Sequence, residues 1–413
     1  MTEIEFAKKI NLLGGAAYLV GGAVRDKFRG VTAHDKDYCI TGVDDKTFAE
    51  NFPNALKFGK AFPVYSVTID GKNCEVALAR TEKKVGAGYR GFKVNFNSAV
   101  TIEQDLYRRD TTINAMAVDI LREELIDPFG GQKDILEKKI RAVSEHFTED
   151  PVRALRAARQ AAQFDFEITE DTLQAMNLCA FELQNEPGER IFSELENALK
   201  TNKPSIFFRN LQRAGILEIT FPEIAHLIGK TQPVEFHPEG DAYEHTLKIV
   251  DEVATVNSKP VIRFAALAHD FGKGTTLQKM LPHHYQHDKR GLAVLQEMSD
   301  RIHLPSDWKK IAEFVISEHM RAPVLTRPGK IIDFLLKLHN SKISVEDFND
   351  IINFDNHGLP LYLANAKIIL NEILKVNGRM APPEKRGAEI GEWIRSERIK
   401  VLRNKFLMFP ETE

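Results

Sequence analysis

Over roughly the first 145 residues, apolar positions come in short runs closed by turn residues; beyond that they recur at helical spacing. Tyr18-Leu19-Val20 stops at Gly21-Gly22, and Asp37-Tyr38-Cys39-Ile40 stops at Thr41-Gly42. The run from Val64 to Ile69 has a period of two and ends at Asp70-Gly71, a tight-turn pair. Cys74 to Ala79 then reads as the second arm of a hairpin. From about Glu149 the texture changes. Ala154, Leu155, Ala157, Ala158, Ala161 and Ala162 predict a strong helix, and helical patterns punctuated by prolines continue to the C-terminus. The pattern predicts an α+β chain: a small mixed sheet with helices, followed by an all-helical remainder. No internal repeat or low-complexity tract interrupts it.

A length of 413 residues with 43% hydrophobic content suffices for two to four units with sizeable cores. The net charge of −3 does not by itself indicate nucleic acid, so any RNA-binding surface has to be a local basic patch. The most basic helical run is near the C-terminus, with Lys385, Arg386, Arg395, Arg398, Lys400, Arg403 and Lys405 interleaved with glutamates. Cys39, Cys74 and Cys179 are widely spaced and read as buried free thiols. The N-terminus has no signal-peptide plan, and no apolar stretch approaches the ~20 residues of a membrane span. A soluble, cytoplasmic protein without a membrane partner is expected.

The sharpest chemistry is in Gly21-Gly22-Ala23-Val24-Arg25-Asp26, followed by Asp35-Lys36-Asp37. A strand running into two glycines and a helix brings backbone N–H groups to a phosphate, and Arg25 is placed to add charge-assisted bonds. Asp35 and Asp37, two apart on a strand, share a face. Like-charged carboxylates in that register call for a cation, and Mg2+ suits oxygen ligands combined with substrate phosphates. Glu75, in Cys74-Glu75-Val76, is either a third carboxylate or an exposed residue opposite a buried valine.

The combination resembles the polymerase-β-like nucleotidyltransferase superfamily. Arg108-Arg109-Asp110-Thr111-Thr112-Ile113-Asn114-Ala115 is similar to the RRD segment of class II tRNA nucleotidyltransferases and bacterial poly(A) polymerases. That resemblance implies that Gly22, Arg25 and Arg109 contact the incoming nucleotide. Asp127-Pro128-Phe129-Gly130-Gly131 resembles the family's hinge, and Thr81 to Phe92 matches the position of its nucleotide-switching loop. Glu149-Asp150-Pro151-Val152-Arg153 resembles the EDxxR motif. It implies that Asp150 and Arg153 read the base, while Arg156 and Arg159 hold triphosphate or brace the pair. Cytosine and adenine both present an amino donor beside a ring-nitrogen acceptor. Asp150 can accept from the first and Arg153 can donate to the second. Locally, Asp150 before Pro151 also reads as a helix N-cap.

In the second half, Leu267-Ala268-His269-Asp270-Phe271-Gly272-Lys273 follows His245 and precedes His283, His284, His287, His319 and Asp355. An adjacent His-Asp pair lets an imidazole and a carboxylate address one cation. The order resembles the HD metal-dependent phosphohydrolase superfamily, which implies His245, His269, Asp270 and Asp355 as core ligands of Ni2+, Mg2+ or Mn2+. His284, His287 and His319 remain candidates for a second ion or for phosphate.

Together these motifs resemble CCA-adding enzymes of gamma-proteobacterial type. The expected organisation is a head (1–145), a helical neck (146–225), an HD domain (226–365) and a helical tail touching tRNA (366–413). The implied activity is addition of C, C and A to tRNA from CTP and ATP by two-metal chemistry. A phosphatase, 2′,3′-cyclic phosphodiesterase and 2′-nucleotidase accompanies it, in a monomer or homodimer. A poly(A) polymerase, a partial A-adding enzyme and an inactive tRNA-binding module are the competing readings.

Overall fold

In the computed structural model the expected hairpin forms, with Asp70 and Gly71 at positive φ between its strands. The structure describes residues 1–32, 35–58, 63–84, 86, 92–95, 97–235 and 237–406. Contacts divide these into two units, Met1–Glu194 with Ile206–Thr220, and Leu195–Ser205 with Phe221–Glu413.

The first unit opens with α1 (Glu3–Leu12), β1 (Ala16–Val20), α2 (Gly22–Phe28), β2 (Asp37–Thr41) and α3 (Asp45–Asn51). Strands β3 (Leu56–Phe58), β4 (Val64–Ile69) and β5 (Lys72–Leu78) follow, then the pair β6 (Thr81–Lys84) and β7 (Phe92–Asn95). Next come α4 (Ile102–Tyr107), β8 (Ala117–Asp119), β9 (Leu125–Ile126), α5 (Gly131–Leu136) and α6 (Val152–Phe164). Seven strands make one sheet in the order β3-β4-β5-β2-β1-β8-β9, with β2 and β5 parallel and the other neighbours antiparallel.

Side-chain alternation divides this sheet between two cores. Tyr38 and Ile40 of β2 join Val76 and Leu78 of β5 against Phe6, Ile10, Phe48 and Phe52. Cys39 faces the other way, with Val20, Ile102, Leu106 and Ala117. Asp37 therefore lies on the Cys39 face, toward α4. The helix α6 buries the predicted alanines almost completely.

The second unit is helical. Among its helices are Ala242–Val256, Pro260–Ala268, His287–Ile302, Ser306–Glu318, Val345–Asp355 and Ala388–Phe406. In the last of these, Arg395 pairs with Asp333, Arg398 donates to the carbonyls of Ile373 and Val376, and Lys405 pairs with Glu372. Much of the predicted basic stripe is thus engaged within the unit. No helix among the described residues is long and apolar enough to cross a membrane.

Candidate nucleotide site and metal centre

At the end of β1 the chain turns through Gly21 (φ +67°), a backbone region that side chains rarely adopt, and a Cβ there would lie 3.2 Å from an Arg109 nitrogen. Gly22 then starts α2 and Arg25 is its fourth residue. Arg25 donates to Asn114 Oδ1 (2.6 Å) and to Asp26 (3.0 Å), with its guanidinium over the Phe164 ring. It ties the glycine turn to the RRD segment and to the end of α6.

Strand β2 begins at Asp37, so Asp35 sits in the preceding bend and not on the strand as expected. The shared-face argument therefore does not apply to Asp35. It does apply to Glu75. The parallel register sets Asp37 directly opposite Glu75, and because Cys74, Val76 and Leu78 point into one core, Glu75 falls on the Asp37 face. Asp37 is solvent-exposed at the start of the strand, yet desolvation by the surrounding atoms raises its carboxyl above its ordinary range, and the Glu75 and Asp35 charges add to this against Arg109. Neighbouring carboxylates of this kind suit a cation, but Asp35, Asp37 and Glu75 are not among the donor groups whose ligand atoms all lie within 4.8 Å of one another.

Asp105 organises the adjoining arginines. It is 1% exposed and accepts from Arg108 (2.6 Å) and from Arg109 (3.1 Å). Burial alone would push its carboxyl up, but the two guanidinium groups outweigh it and hold it at about 2. Since the folded value lies below the unfolded one of ~3.9, the stabilisation is complete above pH ~4 and is lost as pH falls toward 2. Asp105→Asn is expected to cost about 2 kcal/mol at neutral pH, with the deficit shrinking below pH 4. Urea-dependent labelling of the buried Cys39 thiol measures this; an unchanged midpoint at pH 7 would contradict it.

Asp110 is 7% exposed and bonds to Asn114 (3.2 Å), to Gln160 on α6 (3.2 Å) and to Arg156 (3.5 Å). Despite burial its carboxyl stays low, through the Arg156 charge and the Thr111 N–H. Helix α6 starts at Val152, and Asp150 Oδ1 accepts the Val152 N–H (3.3 Å), so the expected cap forms. Both oxygens of Asp150 also receive Arg190 (2.9 Å each), and Arg190 is held in turn by Glu186 (2.6 Å). Sequence reading missed Glu186, in the bend before the helix Gly188–Leu199, and Arg190 and Glu194 on it; acids and bases on an amphipathic helix read as a solvated face. Arg153 is buried and donates to the His146 carbonyl. Arg156 and Arg159 both reach Glu194, at 3.4 and 2.6 Å. The three arginines are braces of α6 and not a solvated stripe.

Within the expected loop from Thr81 to Phe92, residues 85 and 87–91 lie outside the described residues.

In the second unit the histidines gather at helix ends. His269 and Asp270 follow the helix Pro260–Ala268, His287 starts one helix, His319 follows another, and Asp355 ends a third. Gly272 permits this convergence: a Cβ there would lie 1.9 Å from the His287 carbonyl oxygen. His245 Nε2 lies 3.1 Å from Asp355 Oδ1, and His269 Nε2 lies 3.2 Å from Asp270 and 3.4 Å from Asp355. His287 and His319 Nε2 approach Asp270 Oδ1 at 3.4 and 3.5 Å. Among the described residues, His269 Nε2 and Asp270 Oδ1 are buried without a hydrogen-bond partner. Burial favours neutral His269, yet the flanking Asp270 and Asp355 charges outweigh it and push the imidazole up to about 10. A proton there, with Lys273 at 2.6 Å from Asp270, occupies the electrostatic place of a cation. These donors fit a divalent metal.

Six of the predicted residues, His245, His269, Asp270, His287, His319 and Asp355, are brought together. His284 is not; its ring nitrogens bond to Thr276 (2.9 Å) and the Thr231 carbonyl (3.0 Å). His237 and Glu239, which the sequence did not single out, lie with His245. Among the described residues, the three groups of donor atoms within 4.8 Å of one another all belong to this unit: His237-Glu239-His245, His245-His269-Asp270 and Asp270-His287-His319.

Comparison with known proteins places family matches on the head and on the helical segment that follows it. Residues 17–141 match the poly A polymerase head domain, and residues 165–228 match the probable RNA and SrmB-binding site of polymerase A. A multifunctional CCA protein of Shewanella denitrificans is 42% identical over 309 residues, 73% of each chain. The fold is similar to the crystal structure of the Bacillus stearothermophilus CCA-adding enzyme in complex with CTP, with TM-score 0.68, 23% identity, and coverage of 97% of this chain and 92% of that one. It is also similar to the Thermotoga maritima CCA-adding enzyme complexed with tRNA, with TM-score 0.62, 21% identity, and coverage of 99% and 91%. With a relative this similar over nearly three quarters of its length, the chain belongs to the family of multifunctional CCA proteins.

Proposed function

We propose that the first unit is a nucleotidyltransferase that adds C, C and A to the 3′ end of tRNA from CTP and ATP without a nucleic-acid template. We propose the second unit as a metal-dependent phosphohydrolase of the HD type. The observation that carries the first reading is the register that sets Asp37 against Glu75 beside the Gly21-Gly22 turn. Asp37, Glu75 and Asp35 would hold Mg2+, which when bound supplies activation of the attacking 3′-hydroxyl and charge neutralisation on the departing pyrophosphate. Gly22, Arg25 and Arg109 face the nucleotide phosphates. Asp105 holds Arg109 and, with the Asn114–Asp110–Gln160 bonds, joins that end of the site to α6. The proposed organisation remains head (1–145), neck (146–225), HD domain (226–365) and tail (366–413).

Base choice falls to Asp150, which Arg190 keeps oriented, and to Arg153. An ionised carboxylate accepts from the amino group of C or A and repels the carbonyl of U or G. Asp150→Ala is expected to reduce discrimination against UTP and GTP by ~1–3 kcal/mol, the cost of an unpaired polar group. Arg153→Ala should chiefly slow the correct nucleotides. Single-turnover incorporation of all four nucleotides decides it; an equal loss for all four would make Asp150 a helix cap only.

The test of the whole reading uses tRNA lacking its 3′ end, each labelled nucleotide alone and together, with product length read on a gel. Three added residues requiring both CTP and ATP support it. Long runs of A indicate a poly(A) polymerase, and a single A a partial enzyme.

A further inference from the structure

Three histidines of the buried cluster share a construction. His269, His287 and His319 turn Nδ1 toward a backbone carbonyl, of Ala266 (2.6 Å), His284 (2.8 Å) and Ile316 (3.0 Å). That bond fixes the ring and leaves Nε2 to carry a cation or a proton. His245 is built differently. Its Nε2 faces the cluster, 3.1 Å from Asp355 and 3.9 Å from Asp270. Its Nδ1 is buried with no hydrogen-bond partner among the described residues. The Asp241 carbonyl, one turn back, accepts the backbone N–H of His245.

His245 Nδ1 lies 3.6 Å from Glu239 Oε2, and this oxygen is also buried without a hydrogen-bond partner among the described residues. The other oxygen of Glu239 is held by Lys248, three residues after His245 on the same helix. His237 lies edge-on to the His245 ring, 4.6 Å between centroids, and its Nδ1 is buried and unpartnered as well. A neutral imidazole has one N–H and one lone pair. If Nε2 addresses a cation, Nδ1 carries the proton, and leaving that proton without an acceptor in a buried site is costly. Glu239 is placed to accept it, with Lys248 deciding which oxygen turns inward. Closing the gap to a normal hydrogen bond takes a shift of ~0.6 Å.

We infer that Glu239 is a positioning residue of the metal centre: its carboxylate takes the Nδ1–H of His245 and commits Nε2 to the metal. This rests on the reading of the second unit as a metal-dependent phosphohydrolase.

The test is calorimetric titration of the full chain with Ni2+ in excess Mg2+, comparing the protein with Glu239→Ala, Glu239→Gln and the double variant His269→Ala, Asp270→Ala. Loss of an outer partner of a ligating histidine typically weakens binding ~10–100-fold. Glu239→Ala should do so, and Glu239→Gln should return to within a few-fold, because an amide oxygen accepts the same N–H. Retained CCA addition shows that the variants are folded. Wild-type affinity in Glu239→Ala would overturn the inference. Loss of one whole equivalent of Ni2+ in both Glu239 variants, with the rest bound normally, would overturn it in favour of Glu239 as a direct ligand. If the unaltered chain binds no Ni2+ that depends on His269 and Asp270, the phosphohydrolase reading itself fails.

Discussion

Replacing Asp37 with alanine is expected to reduce CTP and ATP addition by roughly a thousandfold or more, matching the several kcal/mol of charge stabilisation that a bound metal supplies. Asp37 stands opposite Glu75 at the start of β2, on the sheet face that carries α4 and its arginines. Its carboxyl is raised by desolvation and by its acidic neighbours. The ionised form therefore weakens the cation-free fold at neutral pH, and its removal should leave the head as stable as before or more so. This opposition of activity and stability is characteristic of a residue kept for chemistry. Asp35→Ala should act in the same direction, and tRNA binding should survive both changes. Incorporation kinetics with Cys39 labelling as the stability measure check the pair of claims. Near-normal incorporation in either variant would remove that residue from the metal site.

On the proposed reading of the second unit as a phosphohydrolase, His269→Ala combined with Asp270→Ala should eliminate hydrolysis of phosphomonoesters and 2′,3′-cyclic nucleotides, again by roughly three orders of magnitude, and leave CCA addition intact. The two residues are 0% and 1% exposed, and Asp270 is approached by His269, His287, His319 and Lys273. Taking out the carboxylate strands the Lys273 ammonium, a costly arrangement in a buried site. Asp355→Asn, at the partly exposed edge of the cluster, is the gentler companion and should abolish hydrolysis with little structural cost. Both activities are assayed on the same preparation. Collapse of both in a folded variant would show that the chemistries are not separable.

Local pattern carried much of this. Alternation in Val64 to Ile69 and the Asp70-Gly71 pair specify a hairpin, because side-chain period and turn backbone depend on neighbours in sequence. The alanine-rich run from Ala154, the Asp150 cap and the adjacent His269 and Asp270 were legible for the same reason. What required the tertiary structure was register and convergence between distant segments. Glu75 was ambiguous until the parallel pairing of β2 with β5 set it against Asp37. The clue lay in its alternation with Cys74 and Val76, but no local signal says which strands become neighbours. Asp35 slipped off the strand because strand ends are decided by the available partner. Arg190 and Glu194 look like ordinary charges on an amphipathic helix, and only the packing of that helix beside α6 turns them toward Asp150 and Arg159. His284 and His287 were indistinguishable by spacing. The close approach allowed by Gly272 draws His287 into the cluster and leaves His284 with Thr276 and Thr231. The sequence by itself determined which chemistry-bearing residue types occur together and in which local patterns, since those are properties of residue type and local period. The tertiary structure alone decided which side chains share a site, because that depends on strand register and on how helix ends meet.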